Sequence, residues 1–247
     1  MNGMNASLKS KPRVGLIVPS VQSVTEPLFN KIHGDSFDFL TARVRLTGGK
    51  IEHLIAMEKT IPDAVMSLVE ADVDRLVYCC TASGAISGKE HEMALSHEIQ
   101  REFHVPVLTT MMSCLEAFKS ISANSVAIVA PNIAPINDKE REYIEQNGFR
   151  VLSDAGFNME DGRLFSFIPT EEIEAFALKH WNDQADVLFM SCMNWQATKV
   201  MFEVQDRIGK PVVTSHAATL WQIYCTLKEE TGYLDYLALI QDKVKKS

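Results

Sequence analysis

The sequence predicts an α/β protein made of two similar lobes with parallel sheets, facing each other across a cleft. Three observations carry this. Short β-branched runs alternate with longer amphipathic ones, the pattern of strands joined by helical crossovers. The strand-like runs are almost continuously apolar, as expected of a sheet covered on both faces. Three blocks also recur in the same order: VGLIVPS at 14–20 with VAIVAPN at 126–132, DRLVYCCTASGA at 74–85 with DVLFMSCMNWQA at 186–197, and VPVLTT at 105–110 with KPVVTS at 210–215. The first two repeat at a spacing of 112 positions and the third at 105, so one duplication with a short loss accounts for all three.

Taken in order, the strands are expected at Val14–Val18, Leu76–Cys79, Val107–Thr109, Val126–Val129, Val187–Met190 and Val212–Thr214, with a weaker one near Thr41–Leu46. Helical periodicity fills Thr25–Leu40, Ile61–Glu70, Gly88–Glu102, Ser113–Ile121, Asn137–Asn147, Thr170–His180, Asn194–Ile208 and Ala217–Lys228. Gly148 stands where a C-cap glycine would. Thr170 is placed to cap its helix alone, with Glu171 and Glu172 suiting the positive end of the dipole. Residues 1–12 read as a disordered leader, 13–122 as the first lobe and 123–216 as the second. A C-terminal helix over about 217–247 is expected to pack back on the first lobe.

The chain has 247 residues, 46% apolar and 23% charged, enough for one large or two small cores. A net charge of −8 argues against a nucleic-acid binder, which needs a basic stripe. No apolar run is long enough for a membrane span, and MNGMNASLKSKP lacks the apolar stretch of a signal peptide. A cytoplasmic protein is expected. Its five cysteines, Cys79, Cys80, Cys114, Cys192 and Cys225, have no disulfide-framework spacing and read as free thiols.

Two of those thiols stand out. Cys80 and Cys192 are repeat partners, each following an apolar strand and preceding a helical run. Ligands of open α/β sheets bind beyond the carboxyl ends of strands. A thiol near a helix N-terminus is expected to have a lowered pKa. Thr81, Ala82, Ser83 and Gly84 are small enough to let backbone amides approach an anion. Two facing thiols suit proton removal on one face of a carbon and proton delivery on the other, or addition and elimination at an alkene. Such chemistry needs no metal. Cys79, Cys114 and Cys225 read as structural.

Other motifs are weaker. GAISG at 84–88 misses the nucleophile elbow G-x-S-x-G by one place. There is no G-x-G-x-x-G and no phosphate-binding G-x-x-x-x-G-K-[ST]. Cys79, Cys80, His91 and His97 lack a recognised zinc spacing. His91, His97 and His104 read as solvated, and Glu140–Glu145 as a solvated helix face. His216 follows a strand at the cleft edge and is read equally well as functional or as a satisfied structural histidine.

Together these blocks resemble the aspartate/glutamate racemase superfamily, in the branch of maleate cis–trans isomerase and arylmalonate decarboxylase. GLIVPS…EP at 15–27, the C-T-x-S-G-like stretch at 80–84, SC at 191–192 and GKPVVTSxxATLW at 209–221 carry the resemblance, which spans nearly the whole chain. It implies two Rossmann-like lobes related by a pseudo-twofold, a cofactor-free site between them, an oligomer, and catalysis by Cys80 and Cys192. Decarboxylase relatives typically keep only the second cysteine, so the presence of both favours an isomerase or racemase. The chain departs from the isomerase pattern at Gln22 and His216, where Asn is usual, and at Asn132, where Tyr is usual. The Asn expected near Asp161 and Gly162 is also not evident. In the family these positions hold substrate carboxylates. The departures point to a substrate with one carboxylate plus an amide, a ring or a bulkier group.

The resulting expectation is an isomerase or racemase of a small carboxylate, needing no cofactor. Cys80 and Cys192 would be catalytic, and Gln22, Thr81, Ser83, Asn132, Met193 and His216 would bind substrate. His216 could instead lower a thiol pKa as a cation. A malonate-type decarboxylase using Cys192 as proton donor and a non-catalytic small-molecule binder are the alternatives.

Overall fold

The computed structural model describes residues 10–245; the leader expected at 1–12 lies mostly outside that range. Two four-stranded sheets are built from parallel pairs only. The first has the order β2-β1-β3-β4, with β1 at Arg13–Pro19, β2 at Asp38–Val44, β3 at Arg75–Tyr78 and β4 at Val107–Thr109. The second has the order β6-β5-β7-β8, with β5 at Ser125–Ala130, β6 at Arg150–Gly156, β7 at Val187–Met190 and β8 at Val212–Thr214.

The duplication read from sequence is present in the register. Ile17 pairs with Tyr78 in the first sheet, and Val129 with Met190, 112 positions on, in the second. Tyr78 pairs with Thr109, and Met190 with Thr214, 105 positions after Thr109. Side chains repeat too. Asp74 accepts from the Arg13 amide at 2.7 Å, and Asp186 from the Ser125 amide at 2.9 Å. Thr109 and Thr214 each cap the helix that follows them, accepting from Met112 N and Ala217 N.

The helices are α1 (Thr25–His33), α2 (Ile51–Glu58), α3 (Ile61–Glu70), α4 (Thr81–Ser87), α5 (Lys89–Phe103), α6 (Thr110–Ser120), α7 (Ala134–Gln146), α8 (Thr170–His180), α9 (Ala197–Ile208), α10 (Ser215–Leu227) and α11 (Tyr233–Lys245), with a 3-10 turn at Gly162–Phe167. The inner strands β1, β3, β5 and β7 are buried almost throughout, so both faces of each sheet are covered. The halves join through α6 packed on α10 and through α4 packed on α7.

Several expected boundaries move for visible reasons. The helix expected over Thr25–Leu40 ends at His33, because β2 begins pairing with β1 at Asp38. Thr170 does not cap α8: Pro169 takes that place, and the Thr170 hydroxyl turns to Glu171 instead. The helix expected from Asn194 starts at Ala197, because Asn194 is drawn into contacts with other loops. The C-terminal helix is two helices. The break at 228–232 is tied back by Trp221 Nε1 and Cys225 Sγ, both donating to the Thr231 carbonyl. The second piece, α11, touches α1 and α9, so it spans both halves rather than packing on the first alone.

Candidate active site

Both sheets end at one cavity of about 610 Å³, lined by residues from each half. Cys80 and Cys192 are both on its wall. Each follows the last residues of an equivalent inner strand, β3 and β7, so the duplication itself places two thiols at one cleft.

The two thiols are held differently. Cys80 is the extended N-cap of α4, where the amides of Ala82 and Ser83 act to lower its thiol pKa. Cys192 lies five residues before α9, in a loop, with φ +128. That left-handed backbone is unusual for a residue with a side chain. It turns the Asn194 amide onto the Cys192 sulfur at 3.3 Å, while the Cys192 amide donates to Ser215 Oγ at 3.0 Å.

The expected lowering of the thiol pKa is reversed. Burial pushes Cys80 up to about 12, and the carboxyls of Glu58 and Glu140 add to this against the pull of the two amides. Burial likewise pushes Cys192 up, Glu140 and Cys80 adding to it against the amides of Asn194 and Met193. The desolvation of a thiolate in the closed cleft outweighs the few amide dipoles aimed at it. Each thiol is therefore protonated at neutral pH. Charge on Cys80 raises Cys192, so the pair is close enough for one to feel the other.

Around the thiols, Gln22, Thr81, Asn132 and Met193 line the cavity. Gln22 is fixed at both ends: its Nε2 donates to the Cys79 carbonyl at 2.8 Å and its Oε1 accepts from Thr25 Oγ1 at 2.8 Å. Thr81 Oγ1 donates to Ser215 Oγ at 3.1 Å. Asn132 is held close by Gly156, where a Cβ would run into the Asn132 carbonyl.

Two expected binding residues stand outside the cavity wall. Ser83 turns its hydroxyl to Glu58 Oε1 at 2.7 Å and contributes to Cys80 through its amide alone. His216 is fully buried behind the wall, its ring edge-on to Phe29 and Nε2 3.3 Å from Thr25 Oγ1. Burial lowers its pKa to about 4, so it is neutral and supplies no cation to a thiol. Cys79 and Cys114 are fully buried among apolar side chains, and Cys225 bonds the turn at Thr231.

Sequence reasoning passed over several wall residues. Lys50 and His53 come from the start of α2, with Lys50 3.6 Å from Glu160, and Arg163 from the facing loop, where Asp161 chelates it. Asn194 accepts from the Ser23 amide at 2.8 Å and donates to Gly162 O at 2.7 Å, pinning three loops at the rim. Glu140 is the largest correction. It was expected on a solvated helix face, yet it is fully buried and lines the cavity. Glu142 and Glu145 are the exposed members of that stretch. The signal was present: Ile136, Glu140, Tyr143 and Ile144 follow the spacing of one helix face, and all four are buried.

Residues 14–234 match the family model described as arylmalonate decarboxylase. The chain belongs to that family. Maleate isomerase of Pseudomonas putida is 26% identical over 231 residues, covering 88% of this chain and 92% of the relative. Maleate isomerase of Nocardia farcinica is 25% identical, covering 87% and 90%. The structure of a Nocardia farcinica maleate cis–trans isomerase with a covalently bound succinylcysteine intermediate matches with a TM-score of 0.84 at 22% identity, covering 94% of this chain and 99% of that one. A liganded arylmalonate decarboxylase variant matches with a TM-score of 0.84 at 17% identity, covering 90% and 97%. These structural likenesses establish a shared two-sheet fold.

Among the described residues no helix is long and apolar enough to cross a membrane. None of the described His, Cys, Asp and Glu side chains cluster as a metal site.

Proposed function

We propose that this chain is a cofactor-independent isomerase of a small carboxylate, acting through Cys80 and Cys192. The observation that carries the proposal is the placement of both thiols, from equivalent strand ends, on the wall of one cavity. The maleate isomerase relatives support the reaction class. The succinylcysteine in the Nocardia farcinica structure supports a covalent route.

For an alkene substrate, Cys80 gives its proton to solvent as the ligand binds and takes one back after the product leaves, and in between its sulfur bonds to one alkene carbon. The π electrons move to the neighbouring carbon, which takes the proton of the Cys192 thiol. The former double bond is now single and rotates. Cys192 then recovers a proton from that carbon, the double bond re-forms and the C–S bond breaks. The amides of Ala82 and Ser83 hold charge on the Cys80 sulfur, and that of Asn194 on Cys192. For a saturated stereocentre the same two groups would act as base and acid on opposite faces. Free thiols of this kind fit a reducing, cytoplasmic setting.

The test compares Cys80→Ser and Cys192→Ser with the parent on cis-butenedioate and related alkenoates, following the trans product by NMR. Both variants are expected to lose isomerisation. Cys192→Ser is expected to retain a Cys80 adduct visible by mass spectrometry. Isomerisation that survives loss of Cys80 would rule out the covalent route and leave protonation by Cys192 alone, as a decarboxylase would use.

A further inference from the structure

We propose that the side chains of Asn194 and Thr25 are positioning groups for Cys192: together they clamp the peptide between Met193 and Asn194 so that its N–H meets the Cys192 sulfur, the task that a helix performs at Cys80. This rests on the reading of Cys192 as a reacting thiol and adds the residues that prepare it.

The two halves treat their cysteines differently. α4 begins directly after Cys80, and the amides that lower the Cys80 thiol pKa, those of Ala82 and Ser83, belong to its first turn. First-turn amides have no partner within their helix, and the helix itself fixes their direction. The counterpart of Ala82, 112 positions on, is Asn194. There α9 does not begin until Ala197, so no helix directs the Asn194 amide. It nonetheless meets Cys192 Sγ at 3.3 Å, and it is the strongest downward pull on that thiol's pKa.

Side chains supply the hold that the helix does not. Asn194 is buried, and its three side-chain hydrogen bonds all run to the backbone of other loops. Its Oδ1 accepts from Ser23 N at 2.8 Å, and its Nδ2 donates to Val21 O at 3.2 Å and to Gly162 O at 2.7 Å. One acceptor and two donors in one place are what a carboxamide offers and a carboxylate does not. The far end of the same peptide, the Met193 carbonyl, accepts from the fully buried Thr25 Oγ1 at 2.9 Å. Thr25 shares its one hydroxyl hydrogen between this carbonyl and Gln22 Oε1. A trans peptide is planar and points its C=O and N–H in opposite directions. With the oxygen held by Thr25 and the Asn194 side chain anchored, the N–H is left one direction, toward the sulfur. The anchoring segment is braced in turn by Arg43 of β2, which donates to Ser20 O at 3.0 Å and to Gln22 O. Val21, Ser23 and Thr25 belong to the first half. Cys192 is thus prepared from across the cleft, whereas Cys80 is prepared within its own half.

The experiment uses the full chain without substrate. Cys80 and Cys192 are alkylated with iodoacetamide at about pH 9.5, where the rate follows the thiolate fraction. Mass spectrometry of each cysteine's own peptide gives the two rates in the parent, Asn194→Ala, Thr25→Val and Thr25→Ser, and thermal melts show which variants fold. Cys192 is expected to react about tenfold more slowly in Asn194→Ala and about threefold more slowly in Thr25→Val, with Thr25→Ser near the parent. Cys80 is expected to stay within about twofold throughout, which a general loosening of the fold would not allow. An unchanged Cys192 rate, an equal change at both thiols, or a Thr25→Ser as slow as Thr25→Val would overturn the proposal. So would faster Cys192 labelling, which would show that these side chains bury the thiol rather than direct an amide to it. Hydrogen exchange on the parent decides the matter if the variants misfold. The Asn194 amide is expected to exchange about a hundredfold more slowly than an unprotected amide, and an unprotected rate would contradict the clamp. None of these readouts needs turnover. The expected pattern with no isomerisation of any alkenoate would sink the isomerase reading alone, and isomerisation without the pattern would sink this proposal alone.

Discussion

Thr81 and Ser215 stand 134 positions apart and are joined by a buried hydrogen bond, Thr81 Oγ1 to Ser215 Oγ, of 3.1 Å. The same Ser215 oxygen accepts the Cys192 amide at 3.0 Å. One hydroxyl thus ties the residue after the first cysteine to the backbone of the second. Ser215 is the first residue of α10, and its helix is packed on α6 of the other half. A single side chain therefore bridges the two thiol-bearing segments directly.

Replacing Ser215 by Ala strands both donors in a buried setting. The expected cost is about 1–3 kcal/mol of stability, from leaving buried polar groups unpaired. Turnover is expected to fall by about tenfold or more, with KM changed less, because the damage lies in the alignment of the thiols rather than in binding. Thr81→Val removes one of the two bonds and should show a smaller fall. Denaturant melts and steady-state kinetics of both variants check this. Unchanged kcat in Ser215→Ala would show that the thiols are positioned by other means.

The thiols should label slowly in the empty protein. Burial holds Cys80 near pKa 12 and Cys192 well above the usual thiol range. Iodoacetamide at pH 7.5 is expected to modify them more slowly than a free thiol, with the rate still climbing at pH 10. Slow labelling is thus the expected behaviour of an enzyme whose thiolate forms only with ligand present, and it does not favour an inert binder. A rate that levels off near neutral pH would show a thiolate already formed and contradict the burial argument.

The parts of this structure that were legible in the sequence are those where a side chain answers to the backbone alone. Inner strands such as β5 and β7 are buried on both faces and carry unbroken apolar runs. The edge strand β6, RVLSDAG, pairs on one side only and is half-exposed, so its polar residues hid it. The pairing of Cys80 with Cys192 followed from the repeat. What followed less well were positions set by contacts between halves. His216 sits at the cleft edge in sequence but is turned behind the wall by Thr25 and Phe29 of the first half. Glu140 was hidden by its exposed acidic neighbours, although its helical spacing from Ile136 and Tyr143 marks the buried face.

Glu140 should make the protein less stable as the pH rises through the neutral range. Burial, partly offset by the Ser191 hydroxyl and aided by Asp154, lifts its pKa from 4.5 to about 7. The folded chain then holds a proton that the unfolded chain releases, so stability is full below pH 4.5 and falls until about pH 7. A shift of that size corresponds to about 3 kcal/mol. Glu140→Gln removes the dependence. Its melting temperature is expected to be close to that of the parent at pH 4.5–5 and clearly higher at pH 8. A constant gap across that range would mean that the carboxyl is ionised throughout, or solvated.

His216 should act in the opposite direction at lower pH. Its pKa is depressed by burial from 6.5 to about 4, with the Met193 backbone pulling weakly the other way. The folded chain refuses a proton that the unfolded chain accepts. The stability contributed by the neutral ring is present above pH 6.5 and lost as the pH falls toward 4. The depression again corresponds to about 3 kcal/mol, and His33, lowered to about 4 by burial and by Lys243, adds a loss over the same window. His216→Gln keeps a polar side chain but cannot titrate. Its melting temperature is expected to fall less than that of the parent between pH 7 and pH 5, even if it starts lower because the contact with Thr25 is altered. His33→Gln should do the same, and the two effects should nearly add, since among the described residues the rings share no direct partner and meet only through the chain Phe37, Phe39 and Phe29. A variant at His216 that melts in parallel with the parent would show that the ring is protonated in the folded chain and would restore it as a candidate cation beside the thiols.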